Sequence, residues 1–404
     1  MIKTLSPREA VNQIRAKNNG QCALVLQGGG ALGAYQGGVY QALHEAGVEP
    51  DWIIGTSIGA INASIITGNR REDRLDRLQE FWRRVQRPNF WGLFPAWTGV
   101  ADALSSWRTL AAGIPGFFEV NPQAFLGAHV PLGADHAGYY STEPLRKTLE
   151  ELVDFSLINQ KQPRLTVGAA HVRTSMMLYF DTRDMELTPS HIMASGALPP
   201  AFPAVRIDGE LYWDGGILSN TPTERIFEDH PRRNALIFAV HLWHPTGEEP
   251  ETIWQVLHRH KDIQYSSRIA NYIVRQRETH KLRHVVSELL KFVPEEARAD
   301  ALVKELAGYS CRTRMHVVRL LAPRLTNETH IKDIDFSPAG ICARWEAGYA
   351  DTHRALETQA WLEECDPLEG VILHEPRAGA EPAAEAEMGG AVTAPEETRK
   401  LAAE

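Results

Sequence analysis

Asp51-Trp-Ile-Ile-Gly-Thr-Ser-Ile-Gly-Ala-Ile-Asn-Ala63 joins a short apolar run to Gly55-Thr56-Ser57-Ile58-Gly59 and then to an apolar, Ala-rich segment. The order reads as strand, sharp turn and helix, with Ser57 at the apex. Glycines on both sides let the backbone turn tightly and hold the serine oxygen clear of the sheet, at the N-terminus of the next helix. This is the pattern of a nucleophile elbow. Five residues carry little specificity alone, so the surrounding chain decides what they mean.

Upstream, Cys22-Ala-Leu-Val-Leu-Gln27 reads as a buried strand, followed by Gly28-Gly29-Gly30-Ala31-Leu32-Gly33 and a helical stretch from Ala34 to Ala46 that Gly47 closes. Downstream, the helix after the elbow ends at Gly68, and Leu75, Leu78, Phe81 and Trp82 predict another over Asp73–Val85. A βαβα unit is thus complete within 90 residues. Residues 88–133 break the pattern: Phe90, Trp91, Phe94, Trp97, Trp107, Phe117 and Phe118 fall among Gly and Pro without a period. They predict an irregular insertion, either a packed crossover or a cap facing an apolar ligand.

Regular structure resumes with a helix from Ser141/Thr142 to about Val153, strands at Arg164–Val172 and Met176–Phe180, and a short helix at Pro189–Gly196. A hairpin-like Val205–Trp213 leads into Asp214-Gly215-Gly216. Asn234–Trp243 is a continuous apolar strand, as a parallel sheet covered on both faces requires. From Thr252 to Lys291 the pattern is long, helical and basic, with Arg259, Lys261, Arg268, Arg275, Arg277, Lys281 and Arg283 between apolar positions and an interruption near Tyr265-Ser-Ser that allows two helices. Such a face is either solvated or laid on an anionic membrane or granule surface. A helix at Pro294–Leu306, a last strand at Met315–Leu321 and a closing helix at Ser337–Glu364 follow.

The chain has 404 residues, 43% hydrophobic and 23% charged, which suits a globular enzyme. No apolar run approaches the ~20 residues of a membrane span, and the N-terminus lacks a signal-peptide core, so a cytoplasmic location is expected. Cys22, Cys311, Cys342 and Cys365 are scattered, which suggests neither a zinc site nor a disulfide framework. The net charge of −9 argues against nucleic acid as a partner. Seven acids and three bases lie between Glu375 and Glu404, in an Ala/Glu/Pro/Gly-rich tail expected to be disordered. Oligomeric state is not legible.

Gly28–Gly33 formally fits a dinucleotide fingerprint, but the acid that would hold the ribose belongs after the second strand, where Gly55-Thr56-Ser57 stands instead. A glycine run at a helix N-terminus does offer unpaired backbone N–H groups and a favourable dipole. Beside a nucleophilic serine, the amides of Gly28, Gly29 and Gly30 make an oxyanion hole. Serine needs a base, and Asp214 in its Gly-rich turn is the candidate. His241 or His244, after the next strand, would offer the alternative Ser…Asp…His order. No cofactor or metal is required.

Together, Gly28–Gly33, Gly55–Gly59, Ala194-Ser-Gly-Ala-Leu-Pro-Pro-Ala-Phe-Pro203 and Asp214–Gly216 resemble the patatin-like phospholipase family over roughly residues 22–245. The resemblance implies a three-layer α/β/α fold, a Ser–Asp dyad in place of a triad, Ser57 as nucleophile, Asp214 as its base, and Ile58 as a further oxyanion donor. It implies a serine acyl hydrolase of lipid carboxylic esters, whether phospholipid, lysophospholipid or another fatty ester. A polyester or thioester hydrolase and an interaction protein recruited by the basic helices are the alternatives. The expected organisation is an arm at 1–20, a catalytic domain at 21–245 and a mainly helical C-terminal extension with a late strand at 246–375. The tail follows at 376–404. This resembles bacterial members with an extra C-terminal domain.

Overall fold

The computed structural model describes residues 5–17, 19–87, 113–127, 129–325 and 332–375. Residues 88–112 of the expected insertion and the expected tail at 376–404 lie outside them. Ser6 opens α1 (Pro7–Ala16) with a capping box closed by Glu9. β1 (Gln21–Leu26) is buried along its whole length, as a strand covered on both faces must be. A single turn of 3-10 helix, Gly30–Gly33, leads from it into α2 (Ala34–Glu45). β2 (Trp52–Thr56), α3 (Ile58–Thr67) and α4 (Arg74–Arg84) complete the predicted βαβα unit.

The described part of the insertion forms a small hairpin of β3 (Glu119–Val120) and β4 (Tyr140–Ser141). Phe118 packs there against Tyr140 and Phe202, with ring centroids 4.8 and 5.3 Å apart. Phe117 and Phe118 are buried, as in a packed crossover, whereas Phe125 and Leu126 a few residues on are exposed. Then come α5 (Glu143–Leu152), α6 (Phe155–Ile158), β5 (Arg164–His171), β6 (Met177–Asp181) and α7 (Pro189–Ser195). β7 (Val205–Ile207), β8 (Glu210–Asp214), α8 (Glu224–Phe227) and β9 (Ala235–His241) follow.

The basic stretch is one helix, α9 (Ile253–Leu289), of 37 residues. The break allowed at Tyr265-Ser-Ser does not occur, and Ser266 turns its hydroxyl back onto the Asp262 carbonyl of the same helix. Beyond it lie α10 (Ala301–Gly308), β10 (Met315–Leu321), α11 (Pro338–Thr358) and β11 (Val371–His374). β10 is therefore not the last strand. Four residues of β11, too short for a period to show, pair in parallel with it.

Among the described residues the strands form one nine-stranded sheet, ordered β11-β10-β9-β1-β2-β5-β8-β7, with β6 also on β5. From β11 to β5 neighbours run parallel; β6, β7 and β8 are antiparallel additions. This mixed sheet with helices on its faces is the α/β layered fold. Residues 315–321 and 371–374 continue the sheet that begins at residue 21, so the C-terminal region shares it.

α2 and α11 cross at a contact built on glycine. A β-carbon at Gly38 would run into the Trp345 carbonyl, and one at Gly348 into the Tyr35 carbonyl. Tyr35 and Trp345 fasten the crossing through hydrogen bonds to Asp351 (2.8 Å) and Gln41 (2.6 Å). Helix propensity alone makes Gly348→Ala stabilising by about 1 kcal/mol. Backbone overlap costs more than that, so the variant is expected to lose about 2 kcal/mol, read as a lowered Tm. A raised Tm would rule out the close crossing.

Candidate active site

Strand register brings the predicted residues together. Leu26 of β1 pairs with Gly55 of β2, so the glycine loop and the elbow leave the sheet at the same edge. Thr56 pairs with Gly168 of β5, and the next residue, Ala169, pairs with Asp214 of β8. Ser57 and Asp214 therefore flank one strand at the carboxyl edge of the parallel sheet, where α/β folds place their ligands.

Ser57 has φ 57° and ψ −125°, backbone that an L-residue with a β-carbon adopts at a cost of roughly 1–3 kcal/mol. Its N–H donates to Ser195 Oγ at 3.0 Å, and Ser195 Oγ donates to the Gly168 carbonyl at 2.6 Å. Ser195, fully buried at the end of α7, thus ties the elbow to β5. In the sequence Ser195 is one residue of the Ala194–Pro203 motif; its role as a brace is a tertiary contact. Gly55 and Gly59 permit the turn itself, since a β-carbon at either would strike backbone of the facing segment.

Asp214 is 2% exposed and accepts from the Gly216 N–H at 2.7 Å. Burial pushes its pKa up to about 7, against the lowering influence of the neighbouring Ser57 hydroxyl and the Gly216 N–H. A carboxylate in that range accepts a proton at neutral pH as an ordinary surface Asp cannot.

The glycine loop runs alongside: a β-carbon on Gly28 would lie 3.1 Å from Ser57 Cβ. Its three amides are not equivalent. Gly28 N–H donates to the Asn220 carbonyl at 3.1 Å, so this amide is already committed within the protein. The Gly28 carbonyl in turn accepts from Asn220 Nδ2 (3.1 Å) and Trp243 Nε1 (2.8 Å). Gly28 anchors the loop, a role that neither composition nor spacing discloses. Among the described residues no acceptor takes the N–H of Gly29, Gly30 or Ile58.

His241 and His244 make no hydrogen bond to Ser57 or Asp214 among the described residues, and the Nε2 of each has no partner. Burial lowers their pKa values to about 3 and about 4. Both are neutral packing groups at neutral pH. Among the described residues no cluster of His, Cys, Asp or Glu could hold a metal, and no helix is long and apolar enough to cross a membrane.

A family model described as "Patatin-like phospholipase" matches residues 24–226, a span that holds the glycine loop, Ser57 and Asp214. A second, described as "Patatin phospholipase", matches residues 263–368. Over 62 residues the chain is 42% identical to "Triacylglycerol lipase ptl3" of Schizosaccharomyces pombe, a match covering 15% of this chain and 13% of that relative. Among solved structures, VipD from Legionella pneumophila is similar with a TM-score of 0.37 at 16% identity, covering 84% of this chain and 67% of the other.

The raised pKa of Asp214 has a stability signature. Between an unfolded pKa near 4 and a folded one of about 7, the native state holds a proton that the unfolded chain has released, so this residue makes stability fall as pH rises. Asp214→Asn removes that slope. Its Tm is expected to match wild type at pH 4 and exceed it at pH 8, by an amount equivalent to about 2–4 kcal/mol. Equal Tm values at both pH values would mean that Asp214 is not a proton-holding buried carboxyl.

Proposed function

The chain belongs to the patatin-like phospholipase family, and from that premise we propose that it hydrolyses lipid carboxylic esters through a Ser57–Asp214 dyad. The observation that carries the reading is the placement of Ser57 at the strained apex beside β5, across from Asp214, a buried carboxyl whose pKa is pushed up to about 7. Ser57 Oγ attacks the acyl carbonyl while Asp214 takes its proton. The N–H groups of Gly29, Gly30 and Ile58 receive the negative charge on the former carbonyl oxygen, preorganised by the loop and the N-terminus of α3. Collapse of the tetrahedral species expels the alcohol, which leaves with the proton from Asp214. Water then adds to the acyl-enzyme and gives its proton to Asp214; collapse breaks the Ser57 Oγ–acyl bond, Ser57 takes the proton back from Asp214, and the fatty acid is released. Each half-reaction uses the same carboxyl as base and then as acid.

Phospholipid, lysophospholipid and neutral fatty ester remain the substrate classes. The dyad reads the acyl carbonyl and not the alcohol, so a polyester or thioester would meet the same chemistry. The interaction-protein alternative loses support, because much of the basic face on α9 is engaged within the protein. Arg259 donates to the His244 and Pro245 carbonyls, Lys261 pairs with Asp333 at 2.7 Å, and Arg277 pairs with Glu369 at 3.1 Å. What α9 does present is an apolar start: Ile253 is 80% and Trp254 58% exposed, with Val256 and Leu257 beside them. This end is the proposed point of peripheral contact with a lipid surface.

Ser57→Ala is expected to lower kcat on a short-chain p-nitrophenyl ester by at least about 10³-fold. Wild-type kcat/KM is expected to rise with pH through about 7 and then level off, reporting ionisation of Asp214. Asp214→Asn should abolish both the limb and the activity. Retained activity in Asp214→Asn would overturn the dyad, and mass detection of acids released from a lipid panel would assign the ester.

A further inference from the structure

The glycine loop is held from its outer side by residues far beyond the catalytic motifs. Lys332, Asp333 and Ile334 form one turn of 3-10 helix pressed against it. The carbonyl of Asp333 occupies the space that a β-carbon on Gly30 would need, and Gly30 itself has φ +56°. This turn is fastened to α9 by two ion pairs between consecutive residues: Lys261 Nζ to the Asp333 carboxylate at 2.7 and 2.8 Å, and Asp262 to Lys332 Nζ at 2.9 Å. In the second pair the side chains are 4% and 1% exposed.

The buried ammonium continues into the loop. Lys332 Nζ lies 5.2 Å from the centre of the Trp243 ring, and the indole N–H of Trp243 donates to the Gly28 carbonyl. Trp243 is packed from the α9 side by Tyr265, with the rings tilted and 5.0 Å between centroids. Tyr265 also accepts, through its backbone carbonyl, from Gln27 Nε2 at 3.2 Å. A buried ion pair is a poor source of stability, because desolvation offsets the attraction. Its geometry, however, is sharply defined, and here it fixes both ends of Gly28–Gly30, through Trp243 on one side and through Asp333 on the other.

We infer that Lys261, Asp262, Lys332 and Asp333 form a double ion-pair clamp that positions the Gly29 and Gly30 amides for the oxyanion. The inference rests on the proposed function. The four are positioning residues: none touches Ser57 or Asp214, and they act through the backbone of the loop. Displacing donors from a developing charge lowers the rate without weakening ground-state binding, so the effect belongs in kcat and not in KM.

The Lys261–Asp333 pair is the accessible half, with side chains 33% and 21% exposed, and is the pair to exchange. Lys261→Glu sets two carboxylates against each other and is expected to lower kcat about tenfold with KM within about twofold of wild type. Adding Asp333→Lys restores the pair with reversed polarity and should recover kcat to within about threefold. A trifluoromethyl ketone analogue, whose bound oxyanion needs the same amides, should lose affinity in Lys261→Glu in parallel with kcat/KM.

Wild-type kcat and analogue affinity in Lys261→Glu would overturn the clamp. So would a loss that Asp333→Lys fails to reverse while the double variant keeps the wild-type Tm. Should the single variant not fold, Asp262→Asn/Lys332→Met removes the buried charges at similar shape, and unchanged kcat there overturns the inference equally. Ser57→Ala separates the two levels: full activity in that variant sinks the hydrolase reading itself, whereas its inactivity beside normal clamp variants sinks only the clamp.

Discussion

A single backbone conformation governs the site. Ser57 stands at φ 57° and ψ −125°, where its own β-carbon is a hindrance, and every neighbouring feature serves to keep it there. Glycines at 55 and 59 let strand and helix close on each other, and Ser195 captures the Ser57 N–H. Gly168 receives the Ser195 hydroxyl while lying one residue from the partner of Asp214. Strain of a few kcal/mol is sustained because β2, α3 and the Ser195 bond from α7 all constrain the same turn. The reward is a hydroxyl presented to the carboxyl and to the solvent edge together.

The second constraint is electrostatic. Asp214 must be dry to be basic, and a dry carboxyl destabilises the ionised protein. Two donors, the Ser57 hydroxyl and the Gly216 N–H, reduce that penalty without cancelling it. The histidines illustrate the contrast. His241 and His244 are also buried, but burial pushes a cationic acid in the other direction, so the same dry interior that makes the aspartate a better base leaves them inert.

How much of this was legible in the sequence follows from the range of each interaction. The elbow turn and the glycine loop are written in local turn chemistry, and the buried strands in unbroken apolar runs; Asp214 stands in an ordinary Asp-Gly turn that gains meaning only beside the other two motifs. Gly28's committed amide could not be read, because its partner Asn220 lies 192 residues away. Nor could Trp243, Ser195 or Lys332, ordinary residues whose meaning is purely tertiary. The uninterrupted α9 was missed for a different reason: Ser266 looks like a helix breaker until its hydroxyl is seen to bond within its own helix. β11 has only four residues, below the length at which alternation is visible.

The crossing of α2 with α11 ties the helix that follows the glycine loop to residues made some three hundred positions later. On the ribosome, the elbow and Asp214 emerge long before that partner does. Until residues 338–358 are available, α2 has its glycine face uncovered. Contacts of such high sequence separation form late in folding. The crossing that covers the glycine face of α2 is thus among the last contacts of the fold to close.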